Sequence, residues 1–169
     1  TIENPAHPRT AKRCRQLVAA SARTTLDPFE AVDWELPIDD TAYHLPPEWL
    51  PLYGTAPWDA MTEPERIWYS RHEAAAMYGA GIWFENSLNQ ALLRRMMHQD
   101  PTTRATHYEL TELGDEARHM VMFGKAIARI GAQPVRPRLY QRLAINALPF
   151  AFRGSVLWAH ASPADNHLC

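Results

Sequence analysis

Cysteine is scarce. Cys14 and Cys169 are the only two in 169 residues, far apart and in no spacing pattern, so a disulfide-stapled mini-protein is excluded. Uncharged runs are scarce too. The stretch that comes nearest to a span, residues 143–161, is interrupted by Pro149 and Arg153, and no membrane span is expected. Neither charge sign is in excess: 17 Lys and Arg stand against 19 Asp and Glu, a net charge of −2 that makes no case for a nucleic-acid partner. Residues 1–30 lack the apolar core of a signal peptide, and a cytoplasmic protein is the expectation. One scarcity is local: after His119 the only carboxylate side chain is Asp165, while residues 1–119 hold 18 acidic and 11 basic residues.

What is present suits one domain, with 46% hydrophobic residues and length enough to bury a core. Nine of the fourteen prolines fall in residues 1–64 and none in 65–100. Residues 1–60 therefore read as an irregular arm with one short helix, about Arg9–Ser21. In its stretch 44–57, Trp49, Leu50, Leu52 and Tyr53 are expected to pack the arm down as a wrap around a helical body. Residues 61–160 read as the first helices of a bundle. Thr62-Glu63-Pro64-Glu65 has the form of a capping box with proline in the first turn. The helix it opens should run to about His98, a length of about 54 Å at about 1.5 Å per residue. Asp100-Pro101 predicts a second start, and Gly131 with Pro134 a stop near Ile130. A third segment, Leu139–His160, contains Pro149 and should kink or begin late. Residues 161–169 depart from these patterns and read as a tail.

On a helical wheel Glu85 shares its face with Ala74, Tyr78, Gly81, Leu88, Leu92 and Met96, and Asn89 is the one polar companion. A carboxylate in an apolar stripe needs a cation or a proton, or else an exposed helix end. The second helix carries Glu-Leu-Gly-Asp-Glu-Ala-Arg-His over residues 112–119. Glu116 and His119, three apart, lie on one face among Leu113, Met120, Phe123 and Ile127. Glu-x-x-His is the ligand pair of di-metal carboxylate bundles: the carboxylate bridges and the imidazole adds a nitrogen. In a hairpin turning near Gln99–Asp100, Glu85 stands about 14 residues before the turn and Glu116 about 16 after it, so the two come level. Asp115 can then fix the ligand histidine, Arg118 can offset charge, and Glu112 lies one turn from Glu116 on its side of the helix. Glu109, two turns away, reads as a water-facing rim, and Glu73 as surface.

Glu85, the 29 residues after it and Asp115-Glu116-Ala117-Arg118-His119 resemble the first half-site of the AurF-type (p-aminobenzoate N-oxygenase) di-iron family. Asp33-Trp34, Leu52-Tyr53-Gly54-Thr55, Arg71-His72-Glu73, Gly81-Ile82-Trp83-Phe84-Glu85 and Met120–Gly124 carry the likeness further, over about residues 15–160. The resemblance implies an all-α, ferritin-like helical bundle in which iron, with manganese as the alternative, activates O₂ against a small organic substrate. In the type member that reaction is N-oxygenation of an arylamine. The resemblance makes Glu85 a terminal ligand, Glu116 a bridging or terminal one, and His119 the imidazole of the same half-site. The family's third-helix glutamate and fourth-helix His/Glu/His group have no counterpart at the right spacing, since only His160, Asp165 and His167 remain. A truncated bundle with half a metal site is thus expected. Two readings stand open: the N-terminal half of a di-iron oxygenase, or a non-catalytic helical remnant that dimerises without metal. A homodimer would double the ligands to four carboxylates and two histidines.

Overall fold

The computed structural model describes residues 8–133 and 136–151, and among them there are helices and no strands. The elements are α1 (Pro8–Thr24), a single 3₁₀ turn (Pro47–Trp49), α2 (Ala56–Ala60), α3 (Glu63–Met96), α4 (Arg104–Ile130) and α5 (Leu139–Ala151). The architecture is all-helical, as a ferritin-like bundle requires. No described helix is long and apolar enough to cross a membrane. The tail at residues 161–169 and the end of the third segment lie outside the described residues.

The α3–α4 hairpin is the frame. At its start the Thr62 backbone N–H donates to Glu65 Oε2 at 2.7 Å, as the capping signature predicts, and the Thr62 hydroxyl donates to the same oxygen at 2.7 Å. The helices then pack through small residues: Ala74 and Ala75 meet Ile127 and Ile130 in the buried core, with Tyr78 and Ile82 against it. Gly81 allows the closest approach. A Cβ there would meet the Phe123 ring at 2.8 Å, and that ring stacks on Tyr78 with centroids 5.8 Å apart. Gly131 (φ 71°) ends α4 in the left-handed conformation that glycine adopts without penalty.

Asp100 does not cap α4, contrary to expectation. Its Oδ1 accepts from the Thr102 amide (2.8 Å) and hydroxyl (2.7 Å), closing a turn that holds Pro101. The cap passes to Thr103, extended at φ −79°, ψ 150°, whose hydroxyl accepts from the Thr106 amide at 3.2 Å. Two hydroxyl residues after the proline compete for the role, and the helix starts at the second of them.

α1 packs on α4 and α5 on α3. The third segment does not begin late: α5 starts at Leu139 and stays helical through Pro149 to Ala151. Proline brings no N–H for the Ile145 carbonyl, and the Ser87 hydroxyl on α3 donates to that carbonyl instead, at 3.3 Å. The arm wraps the hairpin through polar anchors. Lys125 lies over the rings of Phe29 (4.5 Å) and Trp34 (5.0 Å), Arg129 donates to the Leu36 carbonyl, Arg71 pairs with Asp40, and the His44 amide donates to Ser70 Oγ at 3.1 Å. Leu50 and Trp58 are buried beneath it, but Trp49 and Tyr53 are exposed. The 3₁₀ turn sends successive side chains in different directions, so the stretch 44–57 packs through Leu50 and not through every large apolar residue.

Candidate metal centre

α3 and α4 bring Glu85, Glu116 and His119 together. One ligand atom from each lies within 4.8 Å of the other two. The antiparallel register that sets Gly81 against Phe123 sets Glu85 level with His119, one turn further along both helices. His119 Nδ1 is 2.8 Å from Glu116 Oε2, across one turn of α4. The Glu85 carboxyl faces Glu116 from the opposite helix. Burial raises its pKa from 4.5 to about 7, a hydrogen bond and charge repulsion from Glu116 add to the rise, and His119 opposes it. Glu85 Oε2 is buried with no hydrogen-bond partner. The cluster is open on one side, where the His119 side chain is 50% exposed against 17% for Glu116.

Two carboxylates and an imidazole, with one carboxylate oxygen buried and lacking a donor, fit a divalent cation, because that oxygen has desolvated without compensation. The donor set is therefore compatible with iron or manganese.

The three residues expected to support these ligands lie on the same stretch of α4, with these partners. Asp115 does not hold His119. Its Oδ2 accepts from Ser21 on α1 at 2.9 Å and its Oδ1 from Arg118 at 2.7 Å, so it ties α1 to α4 beside the cluster while the imidazole turns to Glu116. Arg118 accordingly offsets the charge of Asp115. Glu112 sits half-buried and accepts from the Tyr108 hydroxyl. Burial and the neighbouring Asp115 and Glu116 charges raise its pKa, and burial with Glu112 raises that of Tyr108.

Glu109 is not a rim residue. It is 3% exposed, its Oε1 is 3.3 Å from Arg95 Nε, and the Gln99 amide bridges the pair, donating to Glu109 Oε2 and accepting from Arg95 Nε. The signal was in the register, since Arg95 and Glu109 are matched across the hairpin as Glu85 and His119 are. Glu73 lies away from the cluster, in contact with the Tyr69 hydroxyl one turn back. Asn89, one turn beyond Glu85, is buried with its Oδ1 unpartnered. Phe84 is exposed rather than core.

The sequence profile described as P-aminobenzoate N-oxygenase AurF matches residues 7–166. Similar full-length proteins include the uncharacterized proteins Rv0885 of Mycobacterium tuberculosis and Mb0909 of Mycobacterium bovis. Each is 28% identical, over 89% of this chain and 47% of its own length. The chain thus spans about half the length of the curated relatives it matches. No solved structure matches it.

Proposed function

The chain belongs to the p-aminobenzoate N-oxygenase AurF family, and from that premise we propose that it carries one half-site of a di-iron oxygenase, with Glu85, Glu116 and His119 as the metal ligands. The observation that carries this reading is the convergence of these three side chains from two helices, within 4.8 Å, around a buried carboxylate oxygen with no donor. Bound iron would supply activation of O₂ for oxidation of a small organic substrate, as the family's name for its arylamine chemistry implies.

The chain's own residues set the conditions. The Glu85 carboxyl holds a proton against Glu116 near neutral pH and releases it to ligate, so cation affinity rises with pH. His119 would ligate through an imidazole nitrogen. Asp115, bonded to Ser21 and Arg118, fixes α4 against α1 at the turn that bears Glu116, and keeps a third carboxylate from competing for the cation. The Gly81–Phe123 contact holds the two helices close one turn from the ligands. The cluster is left open on the exposed His119 side. A second copy of the chain on that side would complete a set of four carboxylates and two histidines. The open His119 and the neighbouring exposed Phe84 favour this homodimer over a metal-free remnant.

The test is anaerobic loading with Fe(II), desalting, metal analysis and oxygen uptake on admission of air. Iron retained by the wild type and lost in Glu116→Gln, with oxygen uptake that follows the bound iron, is the expected result. Iron retained equally by Glu116→Gln, or not retained at all, would overturn the reading.

A further inference from the structure

Asn89 is the one polar residue that shares the apolar face of Glu85 on α3. It is four residues, one turn, from Glu85, and their azimuths differ by about 40° on an ideal helix. It is 8% exposed, and its Oδ1 has no hydrogen-bond partner. In the register of the hairpin it comes level with the turn of α4 between Glu112 and Glu116. Two successive turns of α3 thus present buried oxygen acceptors without donors, Glu85 Oε2 and Asn89 Oδ1. A side-chain amide buried in this way costs stability unless something satisfies it. Leucine would fill the position without that cost.

We propose that Asn89 is a further ligand of the metal site, its amide oxygen donating to the same divalent cation as Glu85, Glu116 and His119. The inference rests on the proposed metal site and extends its donor set on this chain from three side chains to four. A neutral carbonyl-type oxygen adds a donor without adding to the charge the two glutamates already crowd together. Such oxygens suit hard ions that take many ligands, Mn(II) among them, better than tetrahedral zinc.

The experiment is equilibrium binding of Mn(II) and Zn(II) to the purified chain and its variants, with metal-free melting curves alongside. Asn89→Leu should weaken Mn(II) about tenfold or more, with a smaller effect on Zn(II). Its metal-free melting temperature should equal or exceed that of the wild type, because the substitution removes a buried oxygen that has no donor. Asn89→Asp should bind Mn(II) at least as tightly as the wild type. Where Asn89→Leu does not fold, Asn89→Ala reads the same loss. Mn(II) binding that Glu116→Gln abolishes but Asn89→Leu and Asn89→Ala leave unchanged would overturn this inference and leave the three-ligand site intact. Mn(II) binding indifferent to Glu116→Gln, or no binding by the wild type, would overturn both.

Discussion

Replacing Glu85 with glutamine should stabilise the metal-free protein at pH 8 while removing a ligand. In the fold, burial and the Glu116 carboxylate lift Glu85 from 4.5 to about 7. Between those values the folded chain holds a proton that the unfolded chain has released, so stability falls as pH rises through the window and levels off above it. At pH 8 the carboxylate is ionised in both states, and the ionised form is the one the fold disfavours. The step from 4.5 to about 7, at about 1.36 kcal/mol per pH unit, caps the effect at about 3 kcal/mol. The site is open to water beside His119, and solvent screening of a part-exposed pair reduces that to about 1–2 kcal/mol. Glutamine keeps the shape and cannot ionise. For a chain of this size the gain corresponds to a melting temperature about 2–6 °C higher. The assay is thermal unfolding by circular dichroism in chelator at pH 8 and pH 5. The variant should melt higher at pH 8 and nearly with the wild type at pH 5. A variant that melts lower at pH 8, or a difference that does not change with pH, would refute the argument that burial beside Glu116 keeps Glu85 protonated.

Three further outcomes follow from the packing and the donor count. Gly81→Ala should destabilise by about 1 kcal/mol or more despite alanine's better helix propensity, because its Cβ meets the Phe123 ring at 2.8 Å. Phe123→Leu in the same chain should relieve the clash, which melting of the single and double variants will show. Glu109→Ala should cost about 2–3 kcal/mol by leaving Arg95 and Gln99 without their carboxylate. The same variant should leave metal affinity unchanged, and a loss of affinity would place the pair in the site. A verified monomer should retain no more than about one iron, since its few ligands cannot satisfy two ions that prefer octahedral surroundings. Metal analysis with analytical ultracentrifugation checks this, and any Fe(II)-dependent dimer should vanish in Glu116→Ala.

The hairpin and its three candidate ligands were legible because helical period, a capping box and the distance from one turn suffice to bring Glu85 level with Glu116. The same register implies the Arg95–Glu109 pair, but a lone glutamate two turns from the site reads more naturally as solvent-facing, and the part-buried amide of Gln99 that completes the pair has no sequence signature. Spacing along α4 offers Asp115 to His119, while Ser21, which donates to it, comes from a helix 94 positions away in sequence. The start of α4 slipped by three residues because Asp100, Thr102 and Thr103 are all good caps, and local hydrogen-bond competition decides among them. Burial along the arm was hardest to read, since a proline-rich stretch has no period from which to tell Leu50 inside from Trp49 outside.

The account rests on Glu85, Glu116 and His119 holding one divalent cation together, and electron paramagnetic resonance of Mn(II) titrated into the metal-free chain tests this most directly. The six-line signal of free Mn(II) should be lost with saturable binding in the wild type and in Glu73→Gln, whose side chain points away from the cluster. The free-ion signal should persist in Glu85→Gln, Glu116→Gln and His119→Ala. A wild type that leaves the free-ion signal unaltered, or three ligand variants that bind as it does, would contradict the metal centre.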